Sequence, residues 1–209
     1  MSSINGRSAT SGPLSSLPYT PRVLVIGAGA GAALGCAEAI AAHGAELIVC
    51  DKDWIALSRA ADRLGAYSLF CDAICDTSVG FLATTVADLF PRIDVLINGA
   101  GQGYVRTLAM MRTTRALLPM LGRAEGLGLI VNIAPRRPAV RCRLFPYAST
   151  KKAFETLSAG LRMRAAGSFV DVVTVGDREA EAAREVMEQI ELRWPGEARA
   201  AAEGRRRRA

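Results

Sequence analysis

The chain has 209 residues, 50% hydrophobic and 22% charged. That is enough apolar material for one ordinary domain with a buried core, and too little chain for a large multidomain assembly. The formal net charge of +6 rests largely on the four arginines at 205–208, without which it is +2, and no aromatics interleave that tail for stacking on bases, so nucleic-acid binding is a poor expectation. No apolar run approaches the roughly 20 residues of a membrane-spanning helix, and a single histidine, His43, leaves zinc sites and His-dependent hydrolysis without ligands or bases.

Residues 1–20 are rich in Ser, Gly and Pro and lack an apolar signal stretch, which reads as a flexible tail and a cytoplasmic protein. The run RVLVIG at 22–27 predicts a strand, followed by a Gly/Ala turn and a helix over 37–43 that Gly44 ends in the manner of a C-cap. A second strand over 45–50 is closed by Asp51. The alternation continues with helix 54–64, strand 66–71, helix 78–90, strand 93–98, helix 105–121, strand 128–133, helix 147–165 and strand 169–175. One more helix, 178–192, precedes an unstructured end. Strands without polar alternation, each followed by a helix, mean a parallel sheet covered on both faces. The expected fold is therefore α/β, a doubly wound parallel sheet in one domain over 21–194, with a basic tail at 195–209. Five cysteines, at 36, 50, 71, 75 and 142, form no Cys-x-x-Cys pair and read as reduced, structural thiols.

Gly27-Ala28-Gly29-Ala30-Gly31 falls between the first strand and a helix, where glycines allow φ > 0 and let backbone approach a pyrophosphate held by helix N-terminal amides. Ala33 stands where a third glycine would lie. Asp51 ends the second strand, 24 positions after Gly27, placed to accept both ribose hydroxyls of an adenosine and to repel a 2′-phosphate. That favours NAD over NADP, although the ammonium of Lys52 would attract such a phosphate. Asp72, after the third strand, suits the adenine edge and equally suits a plain turn.

These residues resemble the short-chain dehydrogenase/reductase family over roughly residues 22–176, which implies a Rossmann-like fold and a nicotinamide cofactor. Asn98-Gly99-Ala100-Gly101 is similar to the family's Asn-Asn-Ala-Gly segment, with Gly99 replacing the second Asn, and Tyr147-Ala148-Ser149-Thr150-Lys151 matches its Tyr-x-x-x-Lys motif. The resemblance implies that Gly27, Gly29, Gly31, Asp51, Asp72, Asn98, Ala100, Gly101 and Lys151 hold the cofactor. Positions i and i+4 share a helix face, so Tyr147 and Lys151 can face one ligand, and a nearby ammonium favours the phenolate that proton transfer requires. Tyr147 and Lys151 are the catalytic candidates.

Four parts of the family pattern are missing or cut short. The serine expected at the end of the fifth strand is replaced by Ala134-Pro135, neither of which has a side-chain donor for a developing oxyanion. Counting back along the fourth helix puts Arg106 in the place of the family's catalytic asparagine. The segment between Gly101 and Arg115 is short, and only 33 residues follow Gly176, too few for the family's substrate region. Arg136, Arg137, Arg141 and Arg143, helped by Arg106, could pair with an anionic substrate such as a carboxylate or the phosphates of a coenzyme A thioester, could form an interface to an acidic partner, or could be solvated surface. One expectation is therefore an impaired or inactive member that assembles with an intact homologous subunit or with itself. Another is an active NAD(P)(H)-dependent alcohol or ketone oxidoreductase using Tyr147 and Lys151, with an arginine or backbone amide replacing the serine. A third is a binding module that senses the nucleotide without chemistry.

Overall fold

Unbroken aliphatic runs at 23–26, 47–50, 95–97 and 129–131 leave no polar face to turn to water, so these segments must be covered on both sides. The computed structural model describes residues 20–101, 103–121, 128–134, 147–165 and 170–193. In chain order the elements are β1 (Arg22–Ile26), α1 (Gly31–Ala42), β2 (Glu46–Asp51), α2 (Trp54–Leu64), β3 (Tyr67–Phe70), α3 (Asp76–Leu89), β4 (Val95–Asn98), α4 (Gly103–Leu117), β5 (Gly128–Ile133), α5 (Tyr147–Ala165), β6 (Val170–Val175) and α6 (Glu179–Arg193). The strands form one sheet in the order β3-β2-β1-β4-β5-β6, with every neighbouring pair parallel. This is the expected doubly wound, Rossmann-like α/β fold. The four-arginine loop at 136–143, Cys142 and residues 194–209 lie outside the described residues, as do residues 1–19.

Alternate residues of each strand feed two cores. Val23, Val25, Leu47, Val49, Val95, Ile97, Leu129 and Val131 pack with α1, α2 and α6 on one face. Leu24, Ile26, Ile48, Cys50, Leu96 and Ile130 pack with α3 and α4 on the other, and Leu161 of α5 joins them. Full burial of an aliphatic side chain contributes about 1.5–3 kcal/mol, so these two layers supply most of what holds the sheet in place.

Helix α1 begins at Gly31, six residues before the start expected from composition. Helix propensity counts against Gly31 and Gly35, but tertiary packing decides here. A Cβ on Gly35 would lie 2.6 Å from Glu179 Cγ, so the glycine lets α1 and α6 meet closely. Helix α4 starts at Gly103 and ends at Leu117, where the 3-10 turn Leu118–Met120, with Pro119 in it, replaces the last expected turn. Among the described residues no helix is long and apolar enough to cross a membrane.

Candidate functional site

In an open parallel sheet the ligand crevice lies at the carboxyl ends of the strands, where the chain order reverses. Here β1 has β2 on one side and β4 on the other, and a cleft of about 330 Å³ opens above that point. Its walls come from successive strand ends: Gly27 and the turn after β1, Asp51 and Lys52 after β2, Asp72 to Ile74 after β3, Gly99 to Gly101 after β4, and Asp177 after β6. Of the nominated residues, Gly27, Gly31, Asp51, Asp72, Ala100 and Gly101 line it together.

The wall built by β1 and β2 is a matter of backbone fit. Gly27 N and Ala28 N both donate to the Cys50 carbonyl, at 2.7 and 3.1 Å. Gly27 has φ +83°, and a Cβ there would sit 2.6 Å from Ala100 N and Cα, so neither the conformation nor the space admits a side chain. Gly29 N donates to Asp51 Oδ2 at 2.9 Å and Asp53 N to Asp51 Oδ1 at 2.9 Å, which holds the Asp51 carboxylate at the cleft edge. Asp53 then caps α2 by accepting from Ile55 N and Ala56 N. At the start of α1, Ala30 offers no capping oxygen and the first turn has no acidic residue. The partial positive charge of that helix end is therefore uncompensated beside the cleft and suits an anion.

Asp72 is both turn residue and cleft wall. Its Oδ1 accepts from Ile74 N at 3.2 Å, while its own N–H donates to Ser78 Oγ at 3.0 Å. Arg112 of α4 fastens this loop by donating to the Ile74 carbonyl and pairing with Asp76 at 2.9 Å.

Two departures from the family pattern meet in space. A Cβ on Gly99 would fall 2.5 Å from the Ala33 methyl, 3.1 Å from Ile133 Cδ1 and 3.2 Å from the Ile26 carbonyl oxygen. The methyl of Ala33 fills the room that a side chain at 99 would need, so the loss of glycine at 33 and of a side chain at 99 is one change.

Asn98 does not face the cleft. Its side chain is buried below the cleft, where its Nδ2 donates to Thr114 Oγ1 at 3.0 Å and Asn132 Oδ1 at 2.9 Å, and its Oδ1 accepts from Thr113 Oγ1 at 2.6 Å. Asn98 and Asn132 are register partners on β4 and β5, and Asn132 leads on to Ser158 of α5 at 3.5 Å. The polar chain ties the strand ends to α4 and α5, and each member is costly to orphan.

The far end of the cleft differs in kind. Arg106, on the first turns of α4, donates from Nε to the Gly101 carbonyl at 2.9 Å and from Nη1 to the Ala134 carbonyl at 2.8 Å. Its guanidinium is thus fixed beside the strand end that lacks the serine. Burial pulls its pKa below the usual arginine value, with the charge of Asp177 acting in the opposite sense. Helix α5 begins at Tyr147, whose side chain lies outside the described residues. Lys151 does not line the cleft; it is half-exposed and pairs with Glu155 at 3.7 Å along its own helix. Among the described residues no group of three or more His, Cys, Asp or Glu side chains could hold a metal. Asp177 and Ile74 were not nominated from the sequence, although each follows closely on a parallel strand, the position that signals a ligand crevice.

Residues 21–108 match the family model described as short chain dehydrogenase. The chain is 28% identical to L-fucose dehydrogenase of Bos taurus over 162 residues, covering 68% of this chain and 59% of that protein. It spans slightly less than three-fifths of the length of the two mammalian L-fucose dehydrogenases it matches. In structure it is similar to the NADP complex of Pseudomonas aeruginosa RhlG, with TM-score 0.69, 22% identity and coverage of 78% and 74% of the two chains. It is also similar to a short chain dehydrogenase/reductase of Burkholderia phymatum in complex with NAD, with TM-score 0.65, 24% identity and coverage of 75% and 65%.

Proposed function

We propose that this chain, whose residues 21–108 match the short chain dehydrogenase model, is a nicotinamide-dinucleotide-binding subunit of the short-chain dehydrogenase/reductase family, catalytically impaired by itself, that assembles with an intact homologous subunit. The observation that carries this reading is the contrast within one cleft. Gly27 and Asp51 form a tightly fitted nucleotide wall, whereas the end of β5 presents Ala134, with no side-chain donor, to a guanidinium already bonded to its carbonyl.

The residues present fit a dinucleotide. The turn at Gly27 to Gly31 and the uncapped amides of α1 would take the pyrophosphate, Asp51 the adenosine ribose hydroxyls, and Asp72 the adenine edge. A bound nicotinamide would supply a hydride donor or acceptor. Neighbouring structures hold NAD in one case and NADP in another. We favour NAD for this chain, because the Asp51 carboxylate repels a 2′-phosphate and is fixed by two backbone amides, while Lys52 is a single counter-charge on a flexible stem.

Loss of one oxyanion donor costs on the order of 10²–10³ in rate, and Lys151 is engaged with Glu155 rather than with the cleft. Both support impairment. One observation favours the second reading, an active alcohol or ketone oxidoreductase with Tyr147 as proton donor or acceptor. The Arg106 guanidinium lines the cleft with Nη2 making none of its two hydrogen bonds, and a cation so placed would stabilise an oxyanion in place of the serine or hold an anionic substrate.

Titration of the purified chain with NADH and NADPH, followed by nicotinamide fluorescence, tests the reading together with an assay over a panel of ketones. Micromolar binding that Asp51→Ala weakens about tenfold or more, with turnover only after a homologous subunit is added, is the expected result. Turnover by the chain alone that Tyr147→Phe removes would establish the active reading instead. No binding of either nucleotide at millimolar concentration would overturn both.

A further inference from the structure

Two charged groups at the far end of the cleft, on α4 and just after β6, are left with unfilled hydrogen-bonding capacity. Asp177 Oδ2 is buried and has no hydrogen-bond partner among the described residues. Arg106 faces the same space, close enough for the two charges to act on one another, yet they make no ion pair. A buried carboxylate oxygen without a donor is costly in a native fold, and such orphans mark strain, function or an absent ligand.

The Arg106 guanidinium and the backbone that carries Asp177 are both anchored. Arg106 is held by the Gly101 and Ala134 carbonyls, which fix the plane of its guanidinium. The segment carrying Asp177 is anchored on both sides, by Gly176 N donating to Glu185 Oε2 at 3.0 Å and by Ala182 N donating to the Arg178 carbonyl at 2.7 Å. An orphaned acceptor and an unfilled donor that line one cleft are satisfied together by a neutral group that offers both a donor and an acceptor. A free anion would suit Arg106 and be repelled by Asp177, and a cation the reverse. A planar amide satisfies both at once.

We propose that Arg106 and Asp177 together recognise a primary carboxamide, with Asp177 Oδ2 accepting from its N–H and Arg106 donating to its oxygen. This rests on the dinucleotide reading above, because the nicotinamide carboxamide is the group at the opposite end of that molecule from the adenosine that Asp51 would hold. The assignment makes these two side chains specificity-determining residues for the nicotinamide half, and it gives a use to the arginine standing where the family's asparagine would be.

The test is a binding titration of the full chain with three probes: ADP-ribose, NADH, and reduced 3-acetylpyridine adenine dinucleotide. The last keeps the carbonyl and replaces the amide NH₂ by a methyl group, and both reduced rings are uncharged, so the Asp177 charge does not distinguish them by ring charge. The expected result is NADH binding about tenfold more tightly than the acetylpyridine analogue, the size of effect of one hydrogen bond to a buried charge. Asp177→Ala should erase that preference by weakening NADH alone, Asp177→Asn should retain part of it through its amide oxygen, and Arg106→Met should weaken both reduced nucleotides. ADP-ribose affinity should stay within about twofold throughout. Equal affinity of the unmodified chain for the two reduced nucleotides overturns the proposal while leaving the dinucleotide reading intact, and a preference that survives Asp177→Ala does the same. Failure of ADP-ribose to bind overturns the dinucleotide reading and this proposal with it.

Discussion

The two ends of the cleft are made from different materials. Around β1, β2 and β4 the walls are mostly main chain and methyl groups, with charged side chains only at Asp51 and Lys52: the Gly27 turn is bonded to the Cys50 carbonyl, Asp51 is fixed by two amides and Gly99 is fitted against Ala33. Around β5 and β6 they are long or charged side chains, Arg106 and Asp177, beside Ala134, which has no side-chain donor. A surface set by backbone tolerates almost no added atom but asks little of side-chain identity. A surface set by side chains is remade by single substitutions, and its chemistry can change while the fold does not. On the proposed reading, that separation would let the fitted wall persist while the side chains at the other end change. The buried Asn98–Asn132–Ser158 chain supports the floor of both ends.

The comparison breaks most visibly at Gly27. Gly27→Ala forces a side chain into a left-handed conformation and against Ala100 backbone, which cannot retreat as a flexible side chain would. A loss of about 2–4 kcal/mol in denaturant unfolding is expected from the combined strain and overpacking, together with loss of ADP-ribose binding. A Gly27→Ala variant as stable as the parent would mean that the wall is not set by backbone fit. A smaller effect sharpens the same point. Gly99→Ala alone should cost about 1–3 kcal/mol through its clash with Ala33. Ala33→Gly combined with Gly99→Ala should recover most of both stability and nucleotide affinity. The two contacting positions should be non-additive in a double-mutant cycle, and additivity would show that the two departures are independent.

The fold was legible because the strands are short aliphatic runs between helices, and burial on both faces leaves no other arrangement for them. The early start of α1 was not legible, since nothing at Gly35 announces that Glu179, distant in sequence, will pack against it. At the site, Gly27, Asp51, Asp72, Ala100 and Gly101 were found from spacing, because backbone turns and strand ends are local features. Asn98 was nominated for the cofactor, but its side chain turns under the floor, where the network that claims it joins residues 15 to 60 positions away. Lys151 reads from spacing as a group facing the ligand, and in the structure its ammonium lies against Glu155. Asp177 is not legible in the sequence because its meaning depends on an arginine 71 residues earlier and on an Oδ2 with no hydrogen-bond partner among the described residues, neither of which a sequence displays.

The finest distinction between the two ends is carried by thiols. Cys71 lines the nucleotide end, where burial raises its pKa to about 11, and Cys36 beneath the same turn is pushed up to about 12 by burial and by the charge of Glu179. Cys50 is also raised by burial, whereas Cys75 is exposed. An unfolded thiol ionises near 9.0, so the folded state binds the protons of Cys36, Cys50 and Cys71 more tightly. Their contribution is constant below about pH 9 and is lost as pH rises through the window from 9 to about 12, by up to roughly 1.4 kcal/mol per pH unit for each thiol. Denaturant unfolding between pH 7.5 and 10.5 should therefore be flat in this respect and then fall, and Cys71→Ala should make the fall shallower. At pH 8 a thiol reagent should modify Cys75 before Cys71, with saturating ADP-ribose slowing Cys71 and leaving Cys75 unchanged. Protection confined to Cys71 would locate the adenosine against β3 and β2. An unprotected Cys71 would move the ligand toward the end held by Arg106 and Asp177, and the division of labour along the cleft would have to be redrawn.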